Sequence, residues 1–133
     1  MHITGGCHCG NITYEAEIDL ETVGICHCSD CQKLSCSAFR TVVPVKAENF
    51  HLRGTPTIYV KTAESGNKRA QAFCPKCGSA LYAGAVENSP VYSLRVGTCD
   101  QRAELVPKRQ IWHRSALPWL SKLDIGKVIE QQS

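Results

Sequence analysis

Three thiols lie within six residues at Cys26-His27-Cys28-Ser29-Asp30-Cys31, near enough in the chain to converge on one point. Thiolates grouped in this way suit zinc, which takes four ligands at tetrahedral angles. Four protein ligands close such a site, while three leave a position for water or a substrate atom. An open zinc holds an incoming thiol as its thiolate at neutral pH, within reach of an electrophile such as a small aldehyde. A second set of thiols reads differently. Cys7 and Cys9 near the start, and Cys74 and Cys77 of a C-x2-C knuckle past the middle, supply two ligands each and fit a closed, structural zinc. The expectation is two zinc ions per chain: a structural ion on Cys7, Cys9, Cys74 and Cys77, and a catalytic one on Cys26, Cys28 and Cys31.

Other roles for these residues are weighed on spacing and context. A redox pair at Cys74 and Cys77 calls for a neighbouring βαβ pattern, which the sequence lacks. Cys36 follows Cys31 by only five residues and, as a fourth sulfur, would silence the second site. His27 lies between two ligands on an extended stretch and points to the opposite side. Asp30 is assigned to capping a helical turn, His51 and His113 to surface or packing positions, and Cys99 to a buried apolar thiol. No serine, histidine and carboxylate set stands out for hydrolysis. If the second site is closed, the alternative function is a non-catalytic zinc-stabilised interaction module that binds protein or nucleic acid.

The 133 residues suit one domain, of which 43% are hydrophobic and 20% charged, an ordinary globular composition. The net charge of +3 falls well short of the clustered basic footprint of a nucleic-acid binder. Met1-His2-Ile3-Thr4 has no secretory n-region or h-region, and no apolar run reaches the ~20 residues that cross a bilayer. Nine cysteines without an export signal are expected to be ligands or catalytic groups in a reducing, cytoplasmic setting, with no membrane partner.

The elements that must position the thiols are mostly short strands. Ile12, Tyr14, Ala16 and Ile18 alternate with polar residues, the period of a strand buried on one face. Gly5 and Gly6 before the first thiols and Gly10 after them are read as a tight turn that wraps the metal, glycine accepting a positive φ there. Residues 23–25 lead into the trio as a short strand, and Ser29 and Asp30 cap a helical turn through Leu34. Further strands are expected at 38–45, with Pro44 at an edge or bulge, and at 49–53, 57–62, 69–73, 78–83 and 91–96. Trp112 and Trp119, in a late segment over 111–123, are expected as core anchors. Residues 1–123 form one domain, and 124–133 a loosely held tail. The absence of a long amphipathic helix and the frequent Gly and Pro indicate a mainly β fold.

The motifs Gly6-Cys7-His8-Cys9-Gly10, Ile25-Cys26-His27-Cys28-Ser29-Asp30-Cys31-Gln32, Ser37-Ala38-Phe39 and Phe73-Cys74-Pro75-Lys76-Cys77-Gly78-Ser79 stand in a recognisable order. With Val96-Gly97-Thr98, Ile111-Trp112 and Leu117-Pro118-Trp119-Leu120, they resemble the glutathione-dependent formaldehyde-activating enzyme family, which also includes centromere protein V. The resemblance implies a β-tent of small zinc-stabilised antiparallel sheets with short helical turns, and the same division of seven cysteines between two zincs. It also implies a carbon–sulfur lyase-class reaction in which glutathione adds to formaldehyde to give S-(hydroxymethyl)glutathione. The chain departs from the family pattern at Cys36, where glycine is usual, and at Cys99, where an aliphatic residue is usual. Lys33, Arg40, Arg53 and Arg69 are the basic residues considered for the carboxylates of glutathione.

Overall fold

A computed structural model describes residues 1–131. In chain order the elements are β1 (His2–Gly6), β2 (Thr13–Glu17), β3 (Gly24–Cys26), the helix α1 (Ser29–Ser35), β4 (Arg40–Lys46) and β5 (Phe50–Arg53). They continue with β6 (Thr57–Thr62), β7 (Lys68–Phe73), β8 (Ala80–Ala85), β9 (Val91–Arg95) and β10 (Arg109–Ile111), with several single 3-10 turns between them. Two sheets result, one of order β1-β2-β5 and one of order β10-β3-β4-β9-β8-β7-β6. All pairings between named strands are antiparallel except the short parallel one of β10 with β3. No helix is long and apolar enough to cross a membrane.

Alternation separates the two faces of the large sheet. Val43, Val45, Leu81 and Leu94 are buried against Ile3, Ile12, Tyr14 and Ala16 of the small-sheet side, forming the core. Phe50 joins it through aromatic contacts to Tyr82 at 5.3 Å, Tyr92 at 5.4 Å and Tyr14 at 5.7 Å between ring centroids. The opposite face carries Cys26 and Arg40, directly paired, then Val42 with Arg95, Ser93 with Ala83, and Ala83 with Gln71. Side chains of directly opposed residues share a face.

That second face is concave. Asp30 in α1 forms a 2.7 Å ion pair with Lys61 of β6, although five strand spacings separate β3 from β6, roughly 24 Å in a flat sheet. The chain from Cys26 to Asp30 passes into the helix and spans only about 10 Å. The pair therefore requires the sheet to curl around α1.

Four details differ from what the sequence predicts. Gly5 and Gly6 belong to β1 rather than to a turn. A Cβ at Gly5 would meet the Tyr14 hydroxyl and the Thr98 carbonyl, so close approach explains this glycine; the positive φ of the first thiol turn falls on Gly10, at 81°. The three-residue β10, which carries no alternation of its own, is held by pairing with β3. Trp112 and Trp119 are not core anchors: they are 50% and 51% exposed. Their segment runs outside the β3 edge of the sheet, and the core is filled by aliphatic residues and tyrosines. Pro44 lies in an interior strand, two residues beyond Val42, the last position that β3 covers; one side of β4 is free there and tolerates a missing N–H. Residues 124–131 are exposed and carry no regular element; the last two positions of the expected tail lie outside the described residues.

Replacing Leu94 by Ala should cost about 2–5 kcal/mol of unfolding free energy, whereas Trp119→Ala should change it by less than about 1 kcal/mol. Denaturant titration of the two variants gives the comparison.

Candidate metal centres and the surrounding concave face

The four-thiol set is assembled by both sheets. Cys7 follows the last residue of β1, Cys74 follows the last residue of β7, and Cys9 and Cys77 turn back from the adjoining loops. All four sulfurs lie within 4.8 Å of one another, with Cys7 to Cys9 at 3.6 Å and Cys9 to Cys74 at 3.7 Å. A tetrahedral zinc with Zn–S bonds of about 2.3 Å has sulfur–sulfur edges of about 3.8 Å, so the spacing fits the ion. Donors also face three of the four sulfurs. Ile12 N–H donates to Cys7 Sγ at 3.2 Å, and Lys76 N–H donates to Cys74 Sγ at 3.4 Å. The Ser79 hydroxyl, 3.3 Å from Cys77 Sγ, and then the Ser79 backbone pull the Cys77 thiol down to about 5.

Cys26, Cys28 and Cys31 form the second group, again with sulfurs within 4.8 Å of one another. β3 delivers Cys26 at its end, and the start of α1 delivers the other two. The helix begins differently from the sequence expectation. Cys28, rather than Ser29 or Asp30, is its N-cap, and Cys28 Sγ accepts the Cys31 N–H at 3.3 Å. Asp30 is released from capping and pairs with Lys61. Cys26 is buried, while Cys28 and Cys31 are partly open. Burial is the main cause that raises the Cys31 thiol to about 12, against the pull of the Arg40 charge.

Among the described residues no fourth Cys, His, Asp or Glu joins this trio. Cys36 is exposed at the end of α1 with its sulfur 3.6 Å from the Lys33 carbonyl. It is the helix C-cap, with a left-handed φ of 54°, the conformation in which glycine carries no steric penalty. His27 does turn away from the trio: its Nε2 lies 2.7 Å from Gln110 Oε1, and its buried Nδ1 has no hydrogen-bond partner. His113 stacks edge-on against His27 at 5.6 Å, His51 is exposed, and Cys99 is fully buried.

Of the four basic side chains considered from the sequence, Arg40 stands beside the trio, and Arg95, which was not among them, joins it. Lys33 and Arg53 are exposed, and Arg69 is half-buried. Arg40 is buried directly opposite Cys26, and Arg95 is buried near it on the same face. Gln71 Oε1 accepts from Arg95 Nη2 at 2.8 Å and from Arg40 Nη1 at 3.5 Å. Burial, then repulsion from Arg40, lowers the Arg95 guanidinium to about 9, which leaves it charged at neutral pH. Nothing in the sequence alone singles out Arg95 and Gln71. Their only signal is the alternation within β9 and β7, which places them on the face opposite Leu94 and Ala72 without saying that this face is curled.

The model of the family described as glutathione-dependent formaldehyde-activating enzyme matches residues 2–115. The chain belongs to that family. The match takes in all seven cysteines of the two groups, together with Arg40, Gln71 and Arg95, and stops short of Pro118 and Trp119. A crystal structure of a Rhodobacter sphaeroides protein is similar at a TM-score of 0.61, covering 80% of this chain and 98% of that one at 19% identity; this likeness concerns the fold alone. Within the family fold, Cys36 occupies a position whose left-handed backbone asks for glycine. Cys36→Gly should therefore leave metal content unchanged and raise the unfolding free energy by 0 to about 1 kcal/mol, the left-handed strain relieved less the entropy of glycine. Parallel denaturation and metal analysis of the variant check both parts.

Proposed function

We propose that this protein is a zinc-dependent enzyme of the carbon–sulfur lyase class that joins a small thiol, glutathione in the description of its family, to formaldehyde as S-(hydroxymethyl)glutathione. The observation that carries this reading is the trio Cys26, Cys28 and Cys31, which converges beside two buried guanidiniums without a fourth side-chain donor among the described residues. Cys7, Cys9, Cys74 and Cys77 hold the structural zinc, and the trio holds the catalytic one. When bound there, zinc supplies a Lewis-acid position at which a thiol is kept as its thiolate.

The chain's own residues contribute geometry and charge. The Cys31 N–H orients Cys28 Sγ, and the Asp30–Lys61 pair pins the start of α1 over the concave face. Arg40 and Arg95, buried on the same face as the trio, give the concave face a positive potential that attracts an anionic thiol. In the net reaction a bond forms between thiol sulfur and formaldehyde carbon, the carbonyl π bond breaks, and the thiol proton reaches the new oxygen through solvent. Residues 1–123 contain every part of this machinery, and a reducing cytoplasmic setting keeps its thiols available. The interaction-module alternative relied on Cys36 as a fourth sulfur; with Cys36 turned to the Lys33 carbonyl, that alternative loses its distinguishing ligand.

Metal analysis should find two zinc ions per wild-type chain and one in Cys31→Ser, which stays folded. Cys74→Ser should unfold, because a structural zinc contributes about 10–16 kcal/mol in small zinc peptides, as much as the net stability of a typical domain. Exchange NMR between formaldehyde hydrate and S-(hydroxymethyl)glutathione should show acceleration by the zinc-loaded wild type and none by Cys31→Ser. No acceleration by the zinc-loaded wild type overturns the proposed activity.

A further inference from the structure

Arg40 and Arg95 are only 7% and 8% exposed, yet neither has a carboxylate partner among the described residues. The ion pairs found there join Met1 and His2 to Glu15 and Glu17, and Lys61 to Asp30. Arginine is almost never buried to this degree without an anionic partner, since taking an unpaired charge out of water is costly. The donors of the two guanidiniums are also underused. Arg40 Nε is buried with no hydrogen-bond partner, and its Nη1 makes only the long 3.5 Å contact to Gln71 Oε1. Arg95 reaches the same oxygen at 2.8 Å and Ser93 Oγ at 3.2 Å, both of them neutral acceptors. One amide oxygen thus aims two cations into one hollow. Both line a cleft of about 380 Å³ whose wall includes Phe39 and Cys36.

The thiol trio offers a partial counter-charge and no more. Three thiolates around a divalent ion leave a single negative charge, against two guanidiniums, and the described residues show no hydrogen bond from either guanidinium to a sulfur. An acceptor with two oxygens on one planar group matches free guanidinium donors better than any group the protein places there. Such a group would lie on the same face as the trio, because Arg40 is directly opposite Cys26 and directly opposed side chains share a face, although the three cysteines do not themselves line the cleft.

We propose that Arg40 and Arg95, fixed by Gln71, form a carboxylate subsite, so that the thiol this enzyme accepts is one bearing a carboxylate within reach of the trio. The assignment of the sulfur end rests on the function proposed above; the carboxylate end does not depend on turnover. The subsite selects among thiols by charge, disfavouring a neutral thiol that leaves both guanidiniums unpaired.

The test is equilibrium binding to the zinc-loaded protein of glutathione and of its dimethyl ester, which carry the same thiol and differ in their carboxylates. Calorimetry should show the acid binding at least about tenfold more tightly than the ester to wild type, the loss expected when a charge-assisted fork is vacated. In Arg95→Gln the preference should shrink to less than about threefold with two zincs retained, and Arg95→Lys, which keeps charge without the fork, should fall between. Equal binding of acid and ester to wild type, failure of the wild type to bind the acid, or full preference in a zinc-replete Arg95→Gln each overturns the subsite. If the preference is present but formaldehyde exchange is not accelerated, the subsite stands and the activity falls. Acceleration without a preference for the acid does the reverse. The wild-type comparison remains decisive even if a variant fails to fold.

Discussion

Four sulfurs must meet at one point, although two hang from the end of a three-stranded sheet and two from the end of a seven-stranded one. This meeting joins the sheets. Cys7 and Cys74 are 67 residues apart and both are buried, so the contact closes a long loop whose entropy an ion holding all four thiols would offset. It also sets where β1 and β7 end relative to each other. His8 N–H donating to Ser79 Oγ at 3.0 Å fixes one knuckle to the other, and the core aliphatics fill the space that the joined sheets enclose.

A second consequence follows from the curl of the large sheet. One face is convex toward the core and apolar; the other wraps α1 and carries cations. In a flat sheet Arg40, Arg95 and Gln71 would project in parallel from β4, β9 and β7. Curled, they converge on a single oxygen. The Asp30–Lys61 pair holds the helix start inside that curve. A half-exposed ion pair of this sort adds little stability by itself; its importance is that it fixes where Cys28 and Cys31 stand. The buried positive charge and the three-sulfur group therefore arise from one geometric feature.

Much of this was legible in the residues. Spacing alone separates a C-x-C and C-x2-C pair from the compact trio, because ligand number and proximity are local properties. Alternation marks β2, and the strand-forming run 57–62 marks β6 at its observed bounds. What could not be read depends on contacts distant in sequence. β10 exists because β3 offers it an edge, and Gly5 is explained by Tyr14 and Thr98 approaching it. Trp112 and Trp119 have the composition of core residues but lie on a segment outside the sheet edge. The thiol of Cys28 displaced Ser29 and Asp30 as the helix cap, an outcome that cap preferences for oxygen side chains do not foresee. Arg95 is an ordinary strand-end arginine until the curvature that buries it is known.

Whether an ion on Cys26, Cys28 and Cys31 would keep a free face is read most directly by cadmium-113 NMR of the cadmium-substituted protein during titration with glutathione. Two resonances of equal intensity are expected, one shifting as the thiol enters its coordination sphere and the other unmoved at the closed four-sulfur site. Two resonances that both stay fixed at saturating thiol, or a single resonance per chain, would contradict an open catalytic centre on Cys26, Cys28 and Cys31.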